Sequence, residues 1–101
     1  MTSPERARWT FLTNHAHVLL LIATDPEIRL REVAERIGIT ERAAQAIVKD
    51  LCAAGYLTRQ RVGRRNHYTV DARQPMRHRE WQGHAVGELL AILVRERTPA
   101  P

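Results

Sequence analysis

The amino-acid sequence predicts a mainly α-helical domain with a small β-hairpin, an α+β fold whose elements follow the order α-β-α-α-β-β-α. Apolar residues recur every three or four positions through most of the chain, as they do on one face of a helix. Residues 58–62 and 67–70 are instead β-compatible runs, joined by a loop of turn-forming residues at 63–66. The 101 residues are enough for one domain with one core and too few for two.

The first helix is predicted over residues 14–23. Its apolar residues are too dense for a solvent-facing helix, so we expect it to be mostly buried, with Thr13 or Asn14 capping its first turn. A short β-compatible stretch at residues 28–30 follows and predicts the first strand.

The next two helices are separated by a glycine. The first runs over residues 31–37 and is ended by Gly38, because glycine readily adopts the left-handed conformation found at helix C-termini. Thr40 is a good N-cap for the second, which extends over residues 40–54. Two short helices joined by a turn of about three residues that contains glycine form a helix-turn-helix motif. An apolar stripe on the second helix would hold it against the first and leave its polar face free.

The positive charge is concentrated in the middle of the chain. The net charge is +5, and residues 42–71 carry six basic and two acidic residues, a net of +4. Fifteen of the sixteen basic residues are arginine, a side chain suited to bidentate binding of phosphate or guanine. This distribution indicates an acidic partner that contacts the second helix of the motif and the hairpin.

Several classes of protein are disfavoured by what the sequence lacks. The longest apolar run, residues 18–23, is too short to span a membrane, and residues 1–8 lack the apolar stretch of a signal peptide, so we expect a cytoplasmic protein. Cys52 is the only cysteine, and no two histidines are spaced i, i+4, so neither a metal site nor another cofactor is expected. Ser3 is the only serine, and no phosphate-binding loop or carboxylate pair stands out, so we expect no enzyme.

The chain resembles the winged helix-turn-helix domains of bacterial transcription regulators of the MarR and ArsR types. The resemblance covers about residues 14–70 and rests on three segments. They are Val-Ala-Glu-Arg-Ile-Gly-Ile-Thr at 33–40, Ile-Val-Lys-Asp-Leu-x-x-x-Gly-Tyr-Leu-Thr-Arg at 47–59, and the wing at 59–70. It implies that the helix at 40–54 lies in the DNA major groove and that the wing reaches the flanking backbone or minor groove.

The resemblance and the charge distribution together nominate ten residues for contact with DNA. They are Thr40, Glu41, Arg42, Gln45 and Lys49 on the helix, and Arg59, Arg61, Arg64, Arg65 and Asn66 on the wing. Arg42 and Gln45 are spaced to reach adjacent base edges, whereas Lys49 suits a phosphate. Glu41 suits the helix dipole better than a cytosine contact.

Alternatives remain for the wing arginines. Arg64 and Arg65, at the predicted tip, could enter a narrow minor groove or bind phosphates. Arg59 and Arg61 could instead form surface ion pairs.

We expect a homodimer, because one DNA-binding domain contacts too few base pairs to find a genomic site. The last helix, predicted from about residue 76 or 77 to residue 94, has more apolar residues than one buried stripe needs. The residues assigned to the dimer interface are Trp81, Val86, Leu89, Leu90, Ile92 and Leu93. The predicted domain organisation is a tail at 1–12, a DNA-binding domain at 13–71, a dimerisation helix at 72–95 and a tail at 96–101.

The sequence therefore predicts a sequence-specific regulator that binds double-stranded DNA, with no membrane contact and an unknown effector. MarR-type chains usually carry extra helices that frame an effector pocket, and a single C-terminal helix leaves little space for one. The alternative is a winged-helix module that binds protein and not DNA. The two hypotheses differ in whether Arg42, Lys49, Arg64 and Arg65 are exposed together or paired with acidic residues.

Overall fold

The computed structural model describes residues 9–94, which form four α-helices and one two-stranded antiparallel sheet. The elements, in chain order, are α1 (Asn14–Thr24), α2 (Leu30–Ile37), α3 (Glu41–Ala53), β1 (Leu57–Val62), β2 (Arg65–Val70) and α4 (Val86–Val94). The predicted mainly helical α+β fold is thus confirmed. The predicted tail at 96–101 and most of the tail at 1–12 lie outside the described residues.

Threonine hydroxyls cap the N-terminal ends of α1 and α3, and a glycine ends α2. The hydroxyls of Thr13 and Thr40 accept hydrogen bonds from the backbone N–H groups of Ala16 and Ala43, at 3.2 and 3.0 Å. Gly38 ends α2 with a φ of 88°, a left-handed conformation that few other residues adopt. These caps place α2 and α3 in the predicted helix-turn-helix arrangement.

The core lies where α1, α2 and α3 meet and extends to the base of the hairpin and to α4. Its buried apolar side chains are Val18, Leu19, Ile22, Ile28, Val33, Ala34, Ala44, Ile47, Val48, Leu51, Tyr56, Leu57, Tyr68, Val86 and Leu90. Ala34 and Ala44 are small and fully enclosed, which lets α2 and α3 approach closely. The position of α3, with its polar face outward, follows from this packing.

The predicted strand at residues 28–30 is wrong. Ile28 is buried in the core, and Leu30 already begins α2. The segment meets the sheet through a hydrogen bond from the Tyr68 N–H to the Pro26 carbonyl, at 2.9 Å. The β-branched Ile28 therefore lies in a loop, from which it packs into the core, and is not part of a β-sheet.

The hairpin turn is shorter than predicted. Val62 pairs with Arg65 and Arg61 with Asn66, so the loop comprises two residues and not the four at 63–66. Gly63 has a φ of 62°, and Arg64 has a negative φ, the pattern favoured in two-residue turns that begin with glycine. Arg65 and Asn66 are consequently strand residues, which corrects the prediction that Arg65 lies at the tip of the wing.

The last helix is also shorter than predicted, because it starts at Val86 and not near residue 77. Residues 75–85 form an irregular loop whose ends are joined by a bridge between Pro75 and Ala85. The buried Tyr56 donates its hydroxyl hydrogen to the Pro75 carbonyl and so anchors the loop to the core. Trp81 lies in a short 3₁₀ turn, 57% exposed, and is not part of the last helix.

Two carboxylates stabilise the flanks of this loop. The backbone N–H of Arg73, followed by its side chain, donates to Asp71 and lowers the pKa of that carboxyl below its ordinary value. The imidazole of His84 and the backbone N–H of Ala85 lower the pKa of Glu88 in the same way. Both carboxyls have a lower pKa in the folded protein than in the unfolded chain. They therefore stabilise the fold at pH values above their unfolded-state pKa, and this stabilisation is lost as the pH falls through their folded-state pKa.

No helix within residues 9–94 is long and apolar enough to cross a membrane.

Candidate nucleic-acid interface

The face of α3 that points away from the core is polar and exposed. Arg42, Gln45 and Lys49 lie on this face with spacings of three and four residues, and the small Ala46 lies between them. Glu41 is exposed in the first turn, where its carboxylate is favoured by the helix dipole. Thr40 uses its hydroxyl to cap the helix, so that oxygen is already engaged as an acceptor. The face can therefore enter a groove without disturbing the core.

The hairpin forms the opposite wall of a cleft beside α3. The strand register places Arg59 opposite Tyr68 and Arg61 opposite Asn66. Since Tyr68 is buried against the helices, Arg59, Arg61 and Asn66 lie on the hairpin face that turns toward them. An open cleft of about 440 Å³ results, lined by Leu30, Gln45, Val48, Lys49, Cys52, Arg59 and Asn66.

A second open cleft, of about 520 Å³, continues the first toward the tip of the wing. Its lining consists of Glu27, Ile28, Arg29, Leu30, Glu41, Gln45, Arg64, Arg65, Asn66 and Tyr68. Gln45 and Asn66 line both clefts, so α3 and the wing enclose one continuous polar surface. The Arg65 guanidinium donates to the Glu27 carbonyl at 3.3 Å, and the Arg61 guanidinium donates to the Gly63 carbonyl at 3.3 Å.

The basic residues of α3 and the wing have no acidic partner among the residues that the structure describes. The ion pairs within residues 9–94 are His15–Asp50, Arg36–Glu32, His67–Glu27, Arg73–Asp71 and His84–Glu88. None of them includes Arg42, Lys49, Arg59, Arg61, Arg64 or Arg65, and all six are exposed. Within residues 9–94, the surface ion pairs considered for Arg59 and Arg61 therefore do not form, and no acidic side chain of this part of the chain neutralises the surface.

Sequence reasoning missed Arg29 and Tyr68 as parts of this surface. Arg29 precedes α2 in the segment that was predicted to be a strand, and Tyr68 lies in the predicted β-compatible run at 67–70. The sequence contains one signal for Arg29. This residue occupies the N-cap position of α2, where a side chain that accepts a hydrogen bond is usual, and arginine cannot accept one.

The residues assigned to a dimer interface fall into two groups. Val86 and Leu90 are buried in the core of the same chain, at 6% and 8% exposure, so they have little surface to offer a second chain. Trp81, Ile92 and Leu93 are 57%, 62% and 39% exposed, and Leu89 is half-buried. Trp9 and Phe11 are also exposed and pack edge to face with ring centroids 5.1 Å apart.

A small apolar cavity of about 140 Å³, open to solvent, lies between α1, α4 and the C-terminal end of α3. Its lining residues are His15, Ala16, Leu19, Leu51, Tyr56, Met76, Arg77, Val86, Leu89 and Leu90. The polar side chains of His15 and Arg77 also line the adjoining open surface cleft, which places them where the cavity meets that cleft. His15 Nε2 lies 2.9 Å from Asp50 Oδ2, a contact that joins α1 to α3. Within residues 9–94, no group of three His, Cys, Asp or Glu side chains is arranged to hold a metal ion.

A helix-turn-helix followed by a basic hairpin that flanks its second helix defines a winged helix-turn-helix protein. Residues 10–65 match the model of the MarR family, and the chain therefore belongs to that family. The chain is accordingly a winged-helix member of a family of transcriptional regulators, as the sequence resemblance predicted.

The solved structures contain a similar fold. The MarR family protein Rv2887 of Mycobacterium tuberculosis, in complex with salicylic acid, matches with a TM-score of 0.56 and 24% sequence identity. The match covers 85% of this chain and 60% of that protein, so the chain spans well under the whole length of this relative. No curated protein sequence matches the chain significantly.

Proposed function

We propose that the protein is a sequence-specific regulator that binds double-stranded DNA through α3 and the wing. One observation carries the proposal: α3 and the wing hold six exposed basic side chains that form no ion pair within residues 9–94, and four of them line the continuous cleft between these two elements. The four are Lys49, Arg59, Arg64 and Arg65. Such a surface fits a polyanion. The alternative, a winged-helix module that binds protein and not DNA, would be favoured if these charges were paired with acidic residues.

The geometry suggests a role for each part of the surface. Arg42 and Gln45 on α3 would contact base edges, where arginine suits guanine and glutamine suits adenine. Lys49, one helical turn further along, suits a phosphate. Arg64, exposed at the turn of the wing, would contact the flanking backbone or minor groove. The protein would thus act by binding and not by catalysis, in the bacterial cytoplasm.

A homodimer would supply the second DNA-binding domain. Trp81, Leu89, Ile92 and Leu93 retain the exposure that an interface needs, so we assign the contact to α4 and the loop before it. This proposal keeps the predicted C-terminal location of dimerisation but limits its helical part to Val86–Val94. Two heads related by twofold symmetry would read half-sites about one helical turn apart.

Selection of bound fragments from genomic DNA, followed by salt titration, tests the proposal. We expect recovery of a short inverted repeat that binds two chains per duplex. Its affinity should fall steeply with salt, by about 0.9 logarithmic units per logarithmic unit of salt for each phosphate contact. Failure to enrich any sequence, or an affinity that does not respond to salt, would contradict the proposal.

We further propose that the apolar cavity holds a small aromatic carboxylate. The salicylic acid complex of the structural relative suggests the chemical class, and the local support is the pair of His15 and Arg77 at the rim of an apolar space. Arg77 forms no ion pair within residues 9–94, so its charge is available to a carboxylate. An anion that engages His15 would compete with Asp50 and so act on α3.

Thermal unfolding with salicylate tests the cavity. A ligand at ten times its Kd stabilises the folded state by about 1.4 kcal/mol, which raises the Tm by several degrees in a domain of this size. We expect this rise in the wild type and in the control R79A, whose arginine lies outside the cavity, and a smaller rise in R77A. An equal rise in all three proteins would contradict this site.

A further inference from the structure

The wing is joined to the segment before α2 mainly at one residue, Glu27. The two backbones meet where the Tyr68 N–H donates to the Pro26 carbonyl, at 2.9 Å. The carbonyl of Glu27 then accepts a hydrogen bond from the Arg65 guanidinium, and its carboxylate Oε2 lies 3.3 Å from His67 Nδ1. Arg65 and His67 are two positions apart on β2 and so lie on the same face of the strand. One acidic residue thus contacts two side chains of the wing.

The carboxylate of Glu27 belongs to the cleft that we assign to DNA. Glu27 lines the cleft of about 520 Å³ together with Arg64 and Arg65. A negative charge there repels phosphate and offsets the attraction of the arginines. His67 is the ion-pair partner of this carboxylate within residues 9–94. A protonated imidazole makes the pair neutral, whereas a neutral imidazole leaves it with one negative charge.

The other charged side chains around this pair keep their charge near neutral pH, because they are arginines and carboxylates. From the segment before α2, the wing and α3, they are Asp25, Arg29, Arg64, Arg65 and Glu41. On β1, the residue opposite His67 is the uncharged Gln60. The helix α1 also packs against β2, but its titratable side chains, His15 and His17, line other surfaces. Histidine changes charge between about pH 5 and 8, so His67 is the described group at this junction that can respond to pH in that range.

We propose that His67 is a positioning residue for the wing, and that DNA binding by α3 and the wing is coupled to the uptake of a proton by its imidazole. The imidazolium neutralises the Glu27 carboxylate in the cleft and holds β2 against the segment before α2. Because DNA favours the protonated form, the affinity is highest below the titration range of histidine and falls as the pH rises through it. The inference rests on the proposed function and deepens it by giving the same site a dependence on pH.

The first test measures affinity for the duplex recovered by genomic selection, at about pH 6 and about pH 8 and at constant salt. We expect the wild type to bind about threefold more tightly at the lower pH, the size expected for a partly exposed ion pair. His67→Asn keeps an amide near the position of Nδ1 but cannot take up a proton. This variant should bind equally at both pH values, with about the affinity of the wild type at pH 8.

A second histidine–carboxylate pair provides the matched control. His84 Nδ1 lies 2.7 Å from Glu88 Oε1, both side chains are exposed, and neither lines the clefts beside α3. His84→Asn should therefore keep the pH profile of the wild type. An equal dependence on pH in the wild type and in His67→Asn would overturn the inference.

Glu27→Gln distinguishes a charge effect from a purely structural contact. The backbone carbonyls of Pro26 and Glu27 still accept their hydrogen bonds from β2 in this variant. Since the repelling charge is gone, its affinity at pH 8 should rise to about that of the wild type at pH 6 and no longer change with pH. Glu88→Gln, the control, should bind as the wild type does. A lower affinity of Glu27→Gln at both pH values would show a structural role only and would overturn the inference.

Calorimetry measures the proton directly. At about pH 7, the binding enthalpy of the wild type should vary with the ionisation enthalpy of the buffer, which reports net proton uptake, and that of His67→Asn should not. The absence of net uptake by the wild type would contradict the inference while leaving DNA binding established. Failure of the proposed function has a different signature, because the wild type would then select no DNA at either pH and the inference would fall with it.

Discussion

Replacing Arg64 and Arg65 together by alanine is expected to weaken DNA binding about a hundredfold, as two charge-assisted contacts of about 1.4 kcal/mol each would be lost. Arg64 lies in the two-residue turn of the wing, and Arg65 begins β2 beside the cleft. Both are exposed and have no acidic partner among residues 9–94. The salt slope should fall by about two as well, because each arginine would neutralise one phosphate.

The control for this experiment removes the same charge elsewhere. Arg36 and Arg73 are exposed, pair with Glu32 and Asp71, and line neither cleft. R36A combined with R73A should change DNA affinity only slightly. The wing variant should keep its helical circular dichroism and its oligomeric state, since Arg65 contributes only one exposed hydrogen bond to the fold. Equal losses of affinity in the two double variants would show that net charge, and not the wing, governs binding.

Gly87→Val is expected to lower the free energy of unfolding by about 3 kcal/mol, the largest single effect on stability that we predict. A Cβ atom at Gly87 would lie 2.8 Å from both the Cβ and the carbonyl oxygen of Ala72. The backbone there cannot yield easily, because the Gly87 N–H donates to that same carbonyl at 2.9 Å. Valine would therefore force α4 away from the segment that follows the hairpin.

Gly83→Ala is the matched control for this substitution. Gly83 has open space around the position of a Cβ and does not have a positive φ. Alanine there should change stability by less than about 0.5 kcal/mol, as is usual for surface substitutions. Urea unfolding followed by circular dichroism measures both variants. If Gly87→Val unfolds at the wild-type midpoint, the close approach to Ala72 does not occur.

Local signals in the sequence were sufficient for the first three helices. Thr13, Gly38 and Thr40 act within one turn of their own positions, so their effects can be inferred without knowledge of the fold. The hairpin was predictable for the same reason. Its loop length was not, because Gly63-Arg64 and the four residues 63–66 are both plausible turns until the strand register is known.

The errors occurred where distant contacts determine the conformation. The apolar periodicity before Val86 is compatible with a helix, but Tyr56 anchors Pro75 and the Pro75–Ala85 bridge closes a loop instead. Similarly, Ile28 favours a strand by propensity and is buried as part of a loop. Tertiary packing overrides propensity at both places.

The sequence was enough to predict which charged residues belong to the candidate site. It was not enough to predict whether their side chains form ion pairs in the folded protein. Whether Arg59 and Arg61 would be paired depends on which acidic side chains come near them, and Asp50 and Glu27 are held by histidines instead. The contribution of Arg29 depends on the approach of the wing to the start of α2, where Arg65 donates to the Glu27 carbonyl across 38 positions of the chain.

The exposure of both tryptophans has a practical consequence for spectroscopy. Trp9 and Trp81, the two tryptophans of the chain, are 69% and 57% exposed. Their indole rings are already hydrated in the folded state, so the emission maximum should move little on denaturation. The same fluorophores should become shielded when another surface covers them. Intrinsic fluorescence of this protein thus reports association more sensitively than folding.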